Sequence, residues 1–398
     1  MRKPKRIIVA VLASGAYGRE AAEGAVEYSR SHGGWEIHLD GASNHPGSIE
    51  RLRLAMREWR ADGILGQLLE PRLLRAIAGR RLPAVNISTS SRTALPTVCL
   101  DHEAAGRMAA RYLLDRGLRR LAFCGRGGVL YSARRQEGFV AEARAGGAEC
   151  CAFPPPGTKE SNWLRDYRAL TRWLLRLPRP VGILCCDDQR GQDVLRACAK
   201  AGLRVPEEAA VLGVDNDAAV CSLCVPELSS VITPARRIGW EAARLLDGIL
   251  SGRRAPRGPV LVAPAGIAAR RSSDMLATDD ADLGAALQFI HNHCGEPIRV
   301  GDVVAAVAVS RRSLERRFVG VLGRTPRQEI LRERIERARS LLGETAMKVA
   351  AVAQASGFLR YARFARAFRA ETGMTPSQYR SGLRTSPARR ARRAAGRT

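Results

Sequence analysis

The chain has 398 residues, of which 45% are hydrophobic, and carries a formal net charge of +26. This length is enough for two or three domains, each with its own core. The positive excess argues against an ordinary metabolic enzyme and favours a polyanionic partner such as nucleic acid. It is densest in residues 281–398, where 23 Arg and Lys stand against 9 Asp and Glu, a net charge of +14. A GC-rich genome that uses Arg wherever a basic residue is tolerated is the alternative explanation.

The first residues allow two interpretations. Basic residues up to position 6, followed by an apolar stretch over residues 7–13, have the pattern of a signal peptide. The same stretch is rich in β-branched residues, which is typical of a buried strand that opens a domain. About 18 consecutive apolar residues are needed to cross a membrane, and no such run occurs later in the sequence. We favour the strand, and the sequence predicts a cytoplasmic protein with no membrane partner.

The ten cysteines lack the pattern of a secreted disulfide framework. Two pairs are adjacent in sequence, and the others are scattered through apolar runs, as buried thiols are. Cys221 and Cys224 have the spacing of a zinc or redox site, but no second such pair follows. His291, His293 and Cys294 form a similarly weak cluster. The sequence therefore predicts a reducing compartment, no metal site and no cofactor.

Up to about residue 265, short apolar runs alternate with amphipathic stretches. Predicted strands lie at residues 7–12, 35–39, 63–65, 84–87, 97–100, 120–124, 182–185 and 210–214. Predicted helices lie at residues 20–30, 49–59, 103–115, 134–145, 163–177 and 192–201. Repeated βα units of this length indicate parallel sheets with helices on both faces, and ligands bind such sheets at the carboxyl ends of the strands. Two α/β sheets in tandem would face each other across a ligand cleft.

Polar residues stand at two of the predicted strand ends. Asp187, Asp188 and Gln189 follow one strand, and Asp215 with Asn216 follows its predicted neighbour. Carboxylate and amide groups at these places suit bidentate hydrogen bonding to the vicinal hydroxyls of a small polar ligand. Helix capping is the alternative, because strand-to-helix turns favour Asp and Asn anyway.

Several motifs in this part of the chain resemble the sugar-binding core of the LacI/GalR regulators. They are Gly213-Val-Asp-Asn216, the segment Leu228-Ser-Ser-Val-Ile232 that leads through Pro234 and Gly239 to Ala242-Ala-Arg-Leu-Leu246, Arg135-Gln-Glu-Gly-Phe139, and Arg270-Arg-Ser-Ser273. The resemblance implies a two-lobed, periplasmic-binding-protein-like sensor domain. The ligand contacts that it implies are Tyr17, Arg135, Asp187, Asp215 and Asn216.

The chain also departs from the LacI/GalR pattern. It has Cys186-Asp187-Asp188 where many members have an Asn-Asp pair, so the identity of the ligand does not follow from the fold. No counterpart of that family's N-terminal DNA-binding headpiece precedes the first strand. DNA binding must therefore come from elsewhere in the chain.

Beyond about residue 280 the pattern becomes wholly helical and contains an internal repeat. Leu314, Phe318, Gly323 and Pro326 recur 50 residues later as Phe364, Phe368, Gly373 and Pro376. In each copy two apolar residues four apart share one helix face, Gly ends the helix, and Thr-Pro begins the next one. The repeat predicts two copies of one helical unit.

The first copy has the pattern of a helix-turn-helix. We expect Asp302 to cap a short helix over residues 303–308, and Ser310 to cap a second helix. The predicted buried face of the second helix consists of Leu314, Phe318 and Val321. Its opposite face has the spacing that a recognition helix needs to reach base edges in the major groove.

The second copy repeats this arrangement, with a supporting helix at residues 349–355 and a turn at Ser356-Gly357. The predicted DNA-binding residues are Arg311, Arg312, Glu315 and Arg316 in the first copy, and Arg360, Tyr361, Arg363 and Arg366 in the second. For each arginine, a solvated helix face that touches only phosphate is the alternative.

An apolar stripe over residues 327–342 predicts a helix between the two copies. Sixteen helical residues span roughly 24 Å, which suits two recognition helices about one DNA turn apart. This arrangement resembles the DNA-binding domain of the AraC/XylS family over about residues 285–380. Its most specific element is Gly357-Phe358 followed by Phe364, Phe368, Gly373, Thr375-Pro376 and Tyr379-Arg380. Glu329 departs from the pattern, because the family often has an aromatic residue there.

Across the whole chain the resemblance is to the XylR-type xylose-operon activators of the AraC/XylS family. It implies a sensing domain (1–272), a linker (273–281) and a double helix-turn-helix domain (282–382). Residues 383–398 are too basic and too poor in apolar residues to fold alone, which predicts a basic disordered tail. The resemblance also implies a transcription activator whose DNA binding is controlled by a sugar, such as xylose or a related carbohydrate, bound between two lobes. The implied partners are double-stranded DNA, the sugar and a second copy of the chain in a homodimer. RNA polymerase is a further candidate.

Two other classes of protein account for only part of these features. A secreted solute-binding component of a transporter explains the sensor fold and the signal-like start, but not the C-terminal repeat. An enzyme needs a catalytic constellation, and the sequence contains no nucleophile elbow, Walker-type phosphate loop or metalloprotease motif. We therefore predict no enzymatic activity and no catalytic residues.

Overall fold

The computed structural model describes residues 4–32, 34–40, 46–154, 163–274, 280–345 and 347–384. Strands and helices alternate up to residue 274. The strands are β1 (Lys5–Ala10), β2 (Trp35–Asp40), β3 (Gly63–Gly66), β4 (Ala84–Asn86), β5 (Val98–Leu100), β6 (Arg120–Cys124), β7 (Glu149–Ala152), β8 (Val181–Cys185), β9 (Ala209–Asp215), β10 (Ser229–Ile232), β11 (Val260–Val262) and β12 (Gly266–Ala268). The helices are α1 (Ala16–His32), α2 (Pro46–Glu58), α3 (Pro71–Gly79), α4 (His102–Asp115), α5 (Leu130–Ala145), α6 (Trp163–Arg176), α7 (Asp188–Lys200), α8 (Ala218–Leu223) and α9 (Ala235–Leu250), followed by the 3₁₀ helix Arg271–Ser273.

The described strands form two main sheets. The first is parallel and has the order β2-β1-β3-β4. The second has the order β12-β10-β9-β8-β6-β7 and is parallel except for β12. The interior strand β1 buries Ile7, Ile8 and Val9 completely. Both faces of this strand are covered, which is why its sequence is a continuous apolar run.

Each sheet is the centre of one lobe. Helices α1 and α9 pack together on one face of the first sheet, while α2 and α3 supply a separate core on the other face. In the second lobe α4 and α5 pack together on one side of the sheet, and α6 and α7 cover the other. The structure confirms the predicted two-lobed α/β sensor fold. None of the described helices is both long and apolar enough to cross a membrane.

The described residues beyond position 280 are arranged in helices. They are α10 (Ala281–His293), α11 (Val300–Val307), α12 (Arg311–Leu322), α13 (Pro326–Glu344), α14 (Val349–Ala355), α15 (Tyr361–Thr372) and α16 (Pro376–Arg384). The repeat builds two small cores, because Leu314 and Phe318 are fully buried in one and Phe364 and Phe368 in the other. Helix α13 contributes side chains to both cores and joins the two units. The all-helical domain with two helix-turn-helix units is confirmed.

The helix ends of the repeat follow the predicted chemistry. Gly323 and Gly373 end α12 and α15 with φ of +66° and +71°, a conformation that favours glycine. Ser310 caps α12, accepting the amide of Ser313 at 3.2 Å, and Thr325 caps α13 directly before Pro326.

Two details of the first unit were predicted wrongly. Asp302 does not cap α11, which begins two residues earlier; its carboxylate reaches back to accept the amide of Arg299 at 2.6 Å. An acidic residue at the third helical position satisfies the capping residue's own amide in this way. Val321 is 38% exposed, and Leu322, four residues after Phe318, takes the inward position.

Parts of two predicted segments lie outside the described residues. These are residues 275–279 of the predicted linker and residues 385–398 of the predicted basic tail.

Candidate ligand cavity and DNA-binding surface

A cavity of about 260 Å³ opens where the two lobes meet. Its walls consist of strand ends and helix starts from both sheets. The polar side chains that line it are Tyr17, Gln67, Ser88, Thr89, Ser90, His102, Tyr131, Arg135, Asp187, Asp188, Gln189, Asp215 and Asp217. Pockets for drug-sized ligands begin at about 300 Å³, so this cavity suits a smaller, hydrogen-bonding molecule.

Arg135, on α5, is the central cation of the cavity, and its side chain is only 4% exposed. Nε donates to Nδ1 of His102 at 3.2 Å, Nη2 donates to Oδ1 of Asp215 at 3.2 Å, and Nη1 donates to the carbonyl of Cys186. The guanidinium also lies 4.9 Å from the ring centre of Tyr131. Because the fork is held from several sides, it can meet a ligand without first losing conformational freedom.

Asp215 ends β9 with a φ of +114°, which turns its carboxylate toward the cavity. Oδ1 accepts hydrogen bonds from Nη2 of Arg135 and from Oγ1 of Thr233, the latter at 3.0 Å. Among the described residues, both side-chain hydrogen bonds to Asp215 end on Oδ1, so Oδ2 is the atom left for a ligand hydroxyl. Burial raises the pKa of Asp215, although the guanidinium of Arg135 opposes that effect.

Asp187 has two roles at the start of α7. Its Oδ1 accepts the amide of Arg190 at 2.7 Å, which is helix capping. Its Oδ2 accepts from Nε of Arg126 at 3.1 Å and from the hydroxyl of Tyr131 at 3.0 Å, so the carboxylate also belongs to the cavity wall. Burial opposes ionisation, but the charge and hydrogen bond of Arg126, the amide of Arg190 and the charge of Arg135 together outweigh it and lower the pKa of Asp187.

The neighbouring carboxyl group, Asp188, behaves differently. It accepts the amide of Asp217 at 2.7 Å and the hydroxyl of Ser230 at 2.5 Å. Burial, together with the charge of Asp215, raises the pKa of Asp188 to about 8. At neutral pH this group is therefore largely protonated, which reduces the negative charge around the cavity and favours an uncharged polar ligand.

His102 begins α4 and lines the cavity. Its Nδ1 accepts from Arg135, so the proton of the neutral ring is on Nε2, which donates to Oγ1 of Thr89 at 2.5 Å. Burial, together with the nearby Arg135 charge, lowers the pKa of His102 to about 2. The imidazole is thus a neutral group of fixed orientation.

The structure brings four of the five predicted ligand residues to one cavity: Tyr17, Arg135, Asp187 and Asp215. Tyr17 donates its hydroxyl to the carbonyl of Ile87 at 2.5 Å. Asn216 is not among the described residues that line the cavity. Its Oδ1 accepts from Nη2 of Arg270 at 2.8 Å, so it faces the end of the sensor domain.

Several contributing side chains were missed from the sequence, among them His102, Arg126 and Tyr131. His102 and Arg126 each stand two residues after a predicted strand, so the argument applied to Asp187 and Asp215 would have found them. Tyr131 carries no such signal, because only the packing of α5 brings it to Asp187.

The predicted DNA-binding side chains lie on the surface of the two units. In α12, Arg311, Arg312 and Arg316 are exposed, while Glu315 is half-buried and pairs with Arg311 at 3.0 Å. In the second unit the exposed residues are Arg360, Tyr361, Arg363 and Arg366. Within the described ranges, no ion pair or side-chain hydrogen bond engages Arg312, Arg316, Arg363 or Arg366. Their guanidinium groups are available to a polyanion.

The helix between the two units is longer than predicted. Helix α13 has 19 residues and so spans roughly 28 Å. It packs against α12 and α15, the two candidate recognition helices. The length approaches the 34–36 Å that separates successive major grooves on one face of DNA.

Known proteins share both parts of this arrangement. Residues 110–273 match the profile of a periplasmic binding protein-like domain, and residues 303–382 match that of a helix-turn-helix domain. The chain is 30% identical to the xylose operon regulatory protein of Escherichia coli (strain K12), over 95% of this chain and 97% of that protein. It is 29% identical to the protein of the same name from Haemophilus influenzae, over 92% and 96%.

A solved structure described as a xylose-binding transcription activator has 28% sequence identity and a TM-score of 0.60, and covers 96% of this chain and 98% of its own. A transcriptional regulator in complex with cellobiose is 21% identical, with a TM-score of 0.55 over 68% of this chain. At that identity the second structure supports the fold of the sensor domain alone.

A two-lobed sensor joined to two helix-turn-helix units defines a ligand-responsive, DNA-binding transcription regulator. More specifically, the chain belongs to the AraC/XylS family, in the group of xylose operon regulatory proteins with a LacI/GalR-like sensor domain. A solute-binding component of a transporter does not account for the helix-turn-helix domain.

Proposed function

We propose that the effector is an uncharged monosaccharide of pentose size, first of all D-xylose, bound in the cavity between the lobes. The observation that carries this proposal is the pairing of Arg135 with Asp215 on one wall, with Asp187 beside them. A fixed guanidinium donor next to carboxylate acceptors suits vicinal hydroxyls, each of which donates and accepts. The relatives that are xylose operon regulatory proteins support the same sugar.

Individual residues have distinct roles in this proposal. Oδ2 of Asp215 accepts a ligand hydroxyl, and Arg135 donates to a neighbouring oxygen. Asp187 accepts a further hydroxyl while Arg126 keeps it ionised. The rings of Tyr17 and Tyr131 cover the apolar face of the sugar.

On the DNA side, we propose that α12 and α15 enter successive major grooves. Arg312, Arg316, Arg363 and Arg366 are the residues that we assign to bases or phosphates. Arg311, Glu315, Arg360 and Tyr361 complete the two surfaces. We further propose that the protein acts in the cytoplasm as a homodimer and as an activator, for which RNA polymerase is the partner to test.

Calorimetric titration of the full-length protein tests the effector. The panel consists of D-xylose, L-arabinose, D-ribose, D-glucose and cellobiose. We expect D-xylose to bind at least tenfold more tightly than D-glucose and cellobiose, because these larger sugars add groups beyond the pentose frame that the proposed contacts hold. An absence of heat with D-xylose, alongside binding of another sugar, would replace the effector and leave the DNA-binding function intact.

A further inference from the structure

The DNA-binding domain rests on the far end of α4, the helix that begins in the ligand cavity. Nη2 of Arg324 donates to the carbonyl oxygen of Asp115 at 2.5 Å, and Nη1 lies 3.6 Å from its carboxylate. Arg332 lies 4.0 Å from the other carboxylate oxygen. Asp115 is the last residue of α4, so a helix end of the sensor domain is held by two arginines of the DNA-binding domain.

Glu329 holds those two arginines in place. It is 1% exposed, hydrogen-bonds Nε of Arg324, and accepts from Nη2 of Arg332 at 2.7 Å. A carboxylate is buried this deeply only when it is paired, and here both partners extend onward to Asp115. This contact gives a physical reason for an acidic residue at a position where the family often has an aromatic one.

A second set of contacts meets α4 at Tyr112, one turn earlier. Oγ of Ser229 donates to the carbonyl of Arg270, and Oγ of Ser273 donates to Oγ of Ser229 at 2.7 Å. Because the hydroxyl proton of Ser273 is used in that bond, the hydroxyl of Tyr112 donates to Oγ of Ser273 at 2.9 Å. Arg270 in turn holds Asn216, the residue that follows Asp215 of the cavity. The end of the sensor domain is thus tied both to the cavity and to α4.

The other end of α4 lies in the cavity, where His102 accepts from Arg135. Two glycines let the backbones of α4 and α5 approach each other closely. A Cβ atom at Gly106 would lie 2.1 Å from the carbonyl of Arg135, and one at Gly138 would lie 2.1 Å from the carbonyl of Glu103. A displacement of Arg135 or His102 would therefore act on α4 as well as on α5.

We propose that α4 is the rigid connection through which the occupied cavity controls the DNA-binding domain. His102 is the end of α4 in the cavity. At the other end, Asp115 contacts Arg324 and Tyr112 contacts Ser273. Fourteen residues give α4 a length of roughly 21 Å, so a tilt at one end moves the other without any change within the helix. Glu329, Asn216 and Arg270 are positioning residues in this connection. The inference rests on the proposed ligand-controlled function and names how that control reaches the DNA.

A double-mutant cycle on the full-length protein tests the connection without any ligand. DNA selected from random duplexes by the wild-type protein is the probe, and its Kd is measured for wild type, His102→Gln, Arg324→Gln and the double variant. We expect His102→Gln to change the Kd several-fold in the wild-type background and by less than about twofold in the Arg324→Gln background, because distant independent sites would instead add. Equal effects of His102→Gln in both backgrounds, or none in either, would overturn the proposal.

A ligand titration gives the second readout and uses Tyr112→Phe, which removes one hydroxyl and keeps the ring. We expect D-xylose to change the Kd of wild type for DNA by a factor of about five or more. For Arg324→Gln and for Tyr112→Phe, we expect that factor to be less than half of the wild-type factor. Arg111→Gln is the matched control, since Arg111 lies on α4 but pairs with Glu142 on α5 and is 70% exposed. A wild-type response in both test variants would overturn the proposal.

The two experiments separate this inference from the effector assignment. If D-xylose does not bind, the effector assignment fails and the ligand-free cycle still decides on α4. If D-xylose binds and shifts DNA affinity while the cycle is additive, the function stands and α4 is not the connection. Thermal melting of each variant verifies that the fold is retained.

Discussion

Replacing Asp215 with Asn isolates the charge of one cavity carboxylate. Asp215 has a φ of +114° and is followed by Asn216 at +56°, in a region of backbone space that Asn tolerates better than other substitutes. The variant therefore keeps the backbone, the side-chain shape and an oxygen that can accept from Thr233. It replaces the ligand-facing acceptor with an amide donor and removes the counter-charge of Arg135.

The expected loss follows from the kind of contact that is removed. A hydrogen bond to a charged group contributes about 1.5–3 kcal/mol, so the D-xylose Kd of Asp215→Asn should rise about 10- to 150-fold. Calorimetry at pH 7.5 measures the change, with Asp247→Asn as the control. Asp247 undergoes the same chemical change but lies outside the cavity, where it pairs with Lys5 and Tyr28. An Asp215→Asn protein that binds within twofold of wild type would refute the assignment of this carboxylate to the ligand.

Three further substitutions test other parts of the structure. If Arg366 reads a base, Arg366→Ala should weaken binding to the selected DNA site by about 1–3 kcal/mol and change binding to scrambled DNA little. If Arg366 contacts only phosphate, binding to both DNAs should weaken equally, and a competition assay distinguishes the two results. Hydrogen bonds that the His291 ring donates to Asp274 and then to Glu333 raise the pKa of His291 from 6.5 to about 9, with Arg332 and Arg116 nearby. The protonated His291 therefore adds about 3 kcal/mol at most to the free energy of unfolding, fully below pH 6.5, and this contribution is lost as the pH rises through 9. Between pH 7 and pH 9.5 the melting temperature of wild type should therefore fall further than that of His291→Gln. Gly357→Ala should destabilise the second unit by at least about 1–2 kcal/mol in denaturant titrations, since φ is +76° and the new Cβ would lie 2.4 Å from the carbonyl of Cys294; unchanged stability would contradict this geometry.

Most of the fold could be predicted because its signals are local. The apolar run at residues 7–12 marks an interior strand, and the repeated Phe, Gly and Thr-Pro positions mark helix faces and ends. Strands β7, β10, β11 and β12 were not predicted, because three or four residues are too few to show a period by themselves. The start of α11 was misplaced for a similar reason, since an acidic residue favours both the capping position and the third helical position.

The candidate site was predictable as far as strand ends could indicate it. That argument found Asp187 and Asp215, and applied more widely it would have included His102. It could not separate Asn216 from its neighbour, because a positive φ at both positions turns the two side chains in different directions. The role of Glu329 could not be predicted either. Its partners Arg324 and Arg332 contact Asp115 of α4, which is more than 200 residues away in the sequence.

We propose that a sugar in the lobed domain controls sequence-specific DNA binding by the helical domain. Selection of bound sequences from random duplex DNA by the full-length protein, with and without D-xylose and at two salt concentrations, tests it most directly. We predict an enriched motif with two elements about one helical turn apart, and a Kd for that motif that changes with D-xylose. Binding to all sequences alike, with an affinity that collapses uniformly as salt rises and does not respond to the sugar, would contradict the account.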